Sequence, residues 1–352
     1  MSTGDMKDFK SEQQQPQQQQ PQGDRAQGKP RGKGKPHHRR RSKHKQAPSD
    51  GIAGALLVDK PRGLTSFDVV ERVRELLDVE RVGHCGTLDP LATGLLVLLI
   101  GEATKVAQFL TDEDKAYEGQ MRFGVETETD DVEGAVVKTA DISKLTLADL
   151  QAAAKKQLGE IVQKPPRYSA QKRGGVRAYE RARAGEVFEP EARPVIVHSL
   201  ELTKMHADGV VDFTCRVGKG TYVRSLARDI GALCEVGGHV LNLRRTFSGG
   251  FDAKDSLTLD AIGALENRRS AVKSLGDAWR PRPLFRVGPE DVARLRRGQQ
   301  IAVMKEAVEE SRGTEATALA LGQDEKPYAV GKLVWDRLTR TFVFAPERNL
   351  FT

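Results

Sequence analysis

The sequence predicts an α+β protein, with strands and helices interleaved up to about residue 283 and a small β-rich domain over 284–352. Three observations carry that reading. The run "GALLVDKPRGLTS" gives an apolar strand at Leu56 to Val58, a Lys-Pro-Arg-Gly turn, and then a helix start at which Thr65 and Asp68 have capping-box spacing. The segment "HSLELTKMHADGVVDFTCRVGKGTYVRSLARDIGALC" reads as a hairpin turning at Asp208-Gly209, a glycine-rich loop and a helix from about Val223. After Trp279, Pro289 stands near a helix start and Gly298 at its end, and "YAVGKLVWDRLTRTFVFA" looks like two strands joined at Asp336-Arg337.

The remaining elements follow from the same rules. Phe67, Val70, Val73 and Leu77 recur at helical spacing, which assigns all four to one apolar helix face. Leu95 to Ile100 is a short apolar run flanked by glycines and reads as a buried strand. "KAYEGQMRFGVETETDDVEGAVV" alternates as strands separated by an acidic turn, and Leu147 to Leu158 reads as a helix. "PPRYSAQKRGGVRAYERARAGE" begins as a basic loop punctuated by Pro and Gly before becoming helical.

Composition divides the chain unevenly. Of its 352 residues, the first 50 hold 12 Lys+Arg and 5 Asp+Glu, while 51–352 hold 44 of each sign, so the whole formal excess of +7 lies in residues 1–50. That segment is rich in Gln, Pro, Lys and Arg, has almost no apolar residue to offset ordering entropy, and is predicted to be a disordered basic tail. It lacks the apolar stretch of a secretory signal, its Gln, Pro and Gly suit an amphipathic transit helix poorly, and no run in the chain reaches membrane-spanning length. Cys85, Cys215 and Cys234 are odd in number and widely spaced, which argues against a disulfide framework or a structural zinc site and fits a reducing cytoplasm. His37, His38 and His44 lie among the basic residues and read as solvated charge.

In "VGHCGTLDPLATGLLVLLIG", Asp89 precedes a proline and stands just before the buried run. Pro90 pushes Asp89 toward an extended backbone, while Gly83, Gly86 and Gly94 keep the flanking chain permissive. Asp-Pro on its own is most often a turn cap. At the lip of a core, however, a carboxylate needs a cation or several donors to remain ionised, so a partner is expected elsewhere in the sequence. Three further segments set aromatic and cationic side chains among glycines and prolines, as a surface that stacks and clamps nucleotides would require. They are "DKAY" with Tyr117, "PPRYSAQKRGG" with Tyr168, Lys172 and Arg173, and "GKGTYVRSLARD" with Lys219, Tyr222, Arg224 and Arg228.

The ordered set "DKPRGLTS", "GHCGTLDPLATGLL", "KAYEG", "PPRYSAQKRGGVRAYERAR", "GTYVRSL" and "LRRTFSGGF" resembles the TruB family of bacterial tRNA pseudouridine synthases over residues 51–250. The resemblance implies a pseudouridine synthase fold: a catalytic domain at 51–283 with a mixed β-sheet, and a PUA-like RNA-binding domain at 284–352. It implies isomerisation of a uridine in the tRNA T-loop, at tRNA position 55, with no metal or organic cofactor, no membrane and no obligate protein partner. Asp89 then matches the family's nucleophile and Arg224 the arginine that pairs with it, through a planar fork able to hold a carboxylate by two parallel hydrogen bonds. Tyr117 matches the tyrosine that stacks on the target base and is a candidate proton acceptor, and Tyr222 matches a second pocket aromatic. His84 matches a histidine that holds the flipped-out loop, Leu243 an apolar wall of the pocket, and Lys60 with Pro61 the motif packed beside the site. Cys85 departs from the usual residue after the histidine; no other ligands converge on it in sequence, and it reads as a small packed side chain.

Two other functions compete. A guide-dependent synthase would share the catalytic motifs but require partner proteins and a guide RNA, and an RNA-binding protein would use the same basic surfaces without depending on Asp89. Residues 25–45 carry ten Lys/Arg and no aromatic, so they suit phosphate contact more than base recognition.

Overall fold

The chain's structure, a computed structural model, describes residues 52–168, 172–173, 176–177, 190–309 and 313–350. The basic tail and the end of "PPRYSAQKRGGVRAYERARAGE", where a helix is expected, lie outside the described residues.

Two apolar runs build the centre of the molecule. The first becomes Ala53–Lys60 (β1) and the glycine-bounded one becomes Thr93–Gly101 (β3), with Val82–His84 (β2) paired to its second half. They join Lys115–Phe123 (β4), Gly159–Gln163 (β5), Arg193–Met205 (β6), Val210–Val217 (β7) and Gly238–Ser248 (β8) in a sheet ordered β1-β3-β8-β4-β7-β6-β5. Ladders between these strands are antiparallel except that of β3 with β8, which is parallel and sets Thr93 against Arg244 and Gly94 against Arg245. The sheet is therefore mixed. Gly94 is required at that crossing: its φ is +93°, and a Cβ there would lie 2.4 Å from the Arg245 carbonyl oxygen.

β1 and β3 are apolar on both faces because each face meets a different partner. Leu56, Val58, Leu96, Leu98 and Ile100 enter a core shared with Ser66–Leu77 (α1) and Val223–Leu233 (α3). Ala55, Leu57, Leu95, Val97 and Leu99 enter a second core with Trp279, Leu284, Leu319, Leu321, Val330 and Leu350. An unbroken apolar run in sequence thus reads as period-2 burial into two layers.

The capping box at Thr65 and Asp68 is formed, with Thr65 Oγ1 accepting from the Asp68 N–H at 3.1 Å and Asp68 accepting from the Thr65 N–H at 2.8 Å. One assignment on this helix is corrected. Phe67 is 66% exposed, and the inward stripe is Ser66, Val69, Val70, Val73 and Leu77. At about 100° per residue, Phe67 lies roughly a quarter turn from the centre of that stripe. Ser66 takes the inward place because its hydroxyl both accepts from the Leu88 N–H (2.8 Å) and donates to the Leu88 carbonyl (3.1 Å). The helix expected over 147–158 ends sooner, as Leu147–Lys155 (α2), since Gly159 with φ +81° turns the chain into β5. The β6–β7 hairpin turns at Asp208 and Gly209, both at positive φ.

Beyond residue 283 a second sheet forms from Leu284–Val287 (β9), Ile301–Val303 (β10), Val308–Glu309 (β11), Glu315–Gly322 (β12), Pro327–Asp336 (β13) and Thr341–Asn349 (β14), in the order β10-β14-β13-β12-β9-β11. Pro289–Arg296 (α4) covers it, starting on its N1 proline and followed by Gly298 at φ +73°. Phe285 and Phe344 meet edge to face at 4.9 Å in its own core. Trp279 joins this sheet to the first: its ring is fully buried and its indole N–H donates to the Pro283 carbonyl at 2.9 Å.

Candidate active site

The extended Asp89-Pro90 loop is held from below. Lys60 has no exposed surface, and its ammonium donates to the carbonyls of Pro61 (2.9 Å), Leu64 (2.7 Å) and Pro90 (3.3 Å). The Gly63 N–H donates to the same Pro90 oxygen at 2.8 Å, and Ser66 holds Leu88 on the other side of Asp89. These bonds satisfy backbone that proline and burial would otherwise leave unpaired. Asp89 is consequently carried to the wall of a cavity of about 550 Å³.

Several elements line the rest of that cavity. β4 brings Tyr117, β8 brings Leu243 and Arg245, the start of α3 brings Tyr222 and Arg224, and the glycine-rich loop before it brings Lys219. Six of the residues expected from sequence therefore line one cavity: Asp89, Tyr117, Lys219, Tyr222, Arg224 and Leu243. Lys60 and His84 are not among its lining residues. Lys60 acts on the loop backbone from behind, and His84 sits in β2 opposite Leu98.

Arg224 supplies the partner that Asp89 needs, but not as a two-bonded fork. Its Nε lies 3.0 Å from Asp89 Oδ2, an ion-pair distance without hydrogen-bond alignment. The other guanidinium nitrogens are committed elsewhere: Nη1 donates to Asp131 Oδ2 (3.0 Å) and the Thr129 carbonyl (2.9 Å), and Nη2 to the Tyr168 carbonyl (3.0 Å). Asp131 is itself buried and accepts from Thr129 Oγ1 at 2.6 Å and the Glu133 N–H at 3.0 Å. The acidic turn that carries it is stitched to β8 by Val132 N–H to Val240 O (3.0 Å) and Val240 N–H to Asp130 O (3.1 Å). Asp131 thus aims Arg224, while Asp89 keeps its exposed side toward the cavity. Arg228, the next arginine on α3, pairs with Asp130 at 2.9 Å rather than with Asp89.

Tyr117 and Arg245 are cross-strand partners on β4 and β8, which sets the guanidinium charge near the phenol. Burial pushes the Tyr117 phenol up, with the Arg245 charge opposing. Arg245 has no exposed surface; it donates to Leu95 O (2.7 Å) and Gly86 O (3.1 Å), tying β8 to the loop before Asp89. Lys115, also on the cavity wall, has its ammonium lowered to about 8, chiefly by burial and then by Arg245. Tyr222 is fixed through Gln163, whose amide accepts from the Tyr222 N–H (2.8 Å) and donates to its carbonyl (3.2 Å). The Arg193 guanidinium stands 5.3 Å from the Tyr222 ring centre.

Arg245, Asp131 and Gln163 were not singled out in the sequence. Arg245 had a signal: it follows Leu243 by two on a strand and so shares its face. Asp131 had none, because a carboxylate in an acidic turn has the pattern of solvated charge. Cys85 is buried in the inter-sheet core, with its thiol pushed up to about 12 by burial, and packs there as a small side chain. Among the described residues, no group of three or more His, Cys, Asp or Glu could hold a metal ion.

Comparison with known proteins agrees with this architecture. Residues 74–223 match the TruB family pseudouridylate synthase (N terminal domain), and residues 224–280 match the tRNA pseudouridylate synthase B C-terminal domain. The chain is 50% identical over 215 residues to tRNA pseudouridine synthase B of Aromatoleum aromaticum, spanning 61% of this chain and 69% of the relative. It is 44% identical over 298 residues to the protein of the same name from a Ruegeria species, spanning 83% and 96%. Among solved structures, a chain of a Cbf5-Nop10-Gar1 complex superposes with a TM-score of 0.63 at 26% identity, covering 85% of each chain. Fold and relatives together define a pseudouridine synthase, an RNA-modifying isomerase. The chain belongs to the TruB family of pseudouridylate synthases.

Proposed function

We propose that this enzyme isomerises a uridine of the tRNA T-loop, tRNA position 55, to pseudouridine, with Asp89 as nucleophile. The observation that carries the reading is the Asp89–Arg224 contact at 3.0 Å on the wall of a cavity that also presents Tyr117, Tyr222 and Leu243. The relatives named tRNA pseudouridine synthase B support tRNA as the substrate.

Uridine and pseudouridine contain the same atoms: one N-glycosidic bond is exchanged for one C-glycosidic bond. No net redox change, water or co-reactant is needed. A carboxylate that attacks base or sugar lets the uracil detach, turn and rejoin through carbon, which is covalent catalysis. The base has to leave its stack to reach Asp89, and Tyr117 and Tyr222 offer aromatic faces that compensate for the lost stacking. Arg224 keeps a positive charge beside the carboxylate without capping it by two bonds, so an oxygen remains available for attack. Tyr117, as the phenolate, is the candidate acceptor of the proton lost from the new carbon linkage, and the Arg245 charge favours that ionised form against the effect of burial.

The stand-alone form is favoured over a guide-dependent one because the tRNA synthase B relatives share 42–50% identity, against 26% for the chain of the three-protein complex. The test is to incubate the purified protein alone, without cofactor, with an unmodified T-arm hairpin. Pseudouridine at a single T-loop position is expected. No product, or product only after partner proteins and a guide RNA are added, would reject the reading.

A further inference from the structure

Lys219, set between two glycines in "GKGTY", lines the cavity, and its ammonium contacts Asp112 at 2.8 Å. Asp112 lines the same cavity from the loop before β4, so the pair spans from one wall to another. Both side chains are well exposed, at 67% and 62%. The neighbouring acids of that loop are differently engaged: Glu113 meets Arg282 at 2.8 Å, and Asp114 meets Arg216 at 3.2 Å and His198 at 3.1 Å. Asp112 alone of the three faces the cavity.

We propose that Lys219 binds a backbone phosphate of the substrate RNA beside the flipped nucleotide, and that Asp112 occupies the phosphate's place in the free enzyme. The inference rests on RNA being the substrate, as argued above. A carboxylate and a phosphodiester are both compact oxyanions that bond an ammonium at the same distance. An exposed ion pair is worth at most about a fivefold factor, so it is readily exchanged for a phosphate that brings its own counterion release. Gly218 and Gly220, the latter at φ +79°, let the backbone beneath Lys219 stay thin and leave the ammonium clear of other side chains on that loop. Arg193 is also on the cavity wall, but its guanidinium donates to the Gly220 carbonyl and lies near the Tyr222 ring, so it braces the loop that presents Lys219. Asp112 acts as a built-in competitor: a phosphate that takes this place has to displace it, which lowers affinity for RNA that uses the place and keeps Lys219 paired while the cavity is empty.

The test is a double-mutant cycle on equilibrium binding of an unmodified T-arm hairpin, with salt titrations. Asp112→Asn frees Lys219 and is expected to tighten binding about two- to fivefold. Lys219→Ala is expected to weaken binding and flatten the plot of log affinity against log salt by about 0.7 to 0.9, the value of one neutralised phosphate. Asp112→Asn added to Lys219→Ala is expected to change affinity little, because its effect passes through the lysine. If Asp112→Asn tightens binding equally in both backgrounds, the carboxylate acts only as a distant repulsive charge and the proposal is overturned. An unaltered salt slope for Lys219→Ala overturns it as well. Pseudouridine formation by the wild-type protein is followed in parallel: its absence counts against the substrate reading, whereas an additive cycle with modification intact counts against the phosphate place alone.

Discussion

Arg224 is where the site's charge converges, and its environment decides what a substitution does. A lysine there retains one charge but cannot reach Asp89, Asp131, Thr129 O and Tyr168 O together. Arg224→Lys is expected to slow single-turnover chemistry by about 10²-fold or more, since a misplacement near 1 Å at a reacting group has that effect, while RNA affinity changes far less. An unchanged rate would show that Asp89 does not depend on this partner. Lys60 makes a different prediction. Burial lowers its ammonium from 10.5 to about 8, so between those values the unfolded chain holds a proton that the folded protein has released. Stability contributed by this group is therefore lowest below about pH 8 and rises toward pH 10.5. Urea unfolding at about pH 7 and about pH 10 should show wild type gaining on Lys60→Met as pH rises; a loss would contradict the assignment of a charged, buried Lys60. At this scale the sequence was informative for residues bound to rigid motifs, such as Asp89 before Pro90. It was silent on Asp131, whose significance comes from a contact 93 residues away in sequence.

Elements were legible where one local signal dominated. Glycine and proline punctuation located the β6–β7 turn, the start of α3 and both ends of α4, because those residues act through their own backbone. The face of α1 was not legible at Phe67, since an aromatic in the first turn fits the period while the fold gives the inward place to a serine with a backbone partner. Nor did the apolar run of β3 disclose that its two faces enter different cores. That division makes Trp279 the hinge of stability between the sheets: it is buried against β1 and β3 residues on one side and Leu319, Leu321 and Val330 on the other. Trp279→Ala is expected to cost about 3–5 kcal/mol and to lower the denaturation midpoint of both sheets together. Calorimetry or urea unfolding that resolved two transitions in the wild type, with only one shifted by the substitution, would contradict a shared core.

Across the whole molecule the charge is lopsided, and this predicts a division of labour. Residues 51–352 balance 44 basic against 44 acidic residues, so the ten Lys/Arg of 25–45 are an addition to the site's electrostatics rather than part of it. Deleting residues 1–48 is expected to weaken binding of tRNA and of unrelated RNA by similar factors at low salt, and to flatten the salt dependence by about 0.7 to 0.9 for each phosphate that the tail neutralises. An unaltered slope would mean that the tail neutralises no phosphate, and modification of wrong uridines by the truncated protein would mean that selectivity is not confined to 51–352. The proposed chemistry of the whole molecule rests on one carboxylate. Asp89→Asn preserves shape and removes the nucleophilic charge, so single-turnover reaction with a T-arm hairpin should yield no pseudouridine while hairpin affinity stays within severalfold of wild type. Normal pseudouridine formation by Asp89→Asn would contradict it.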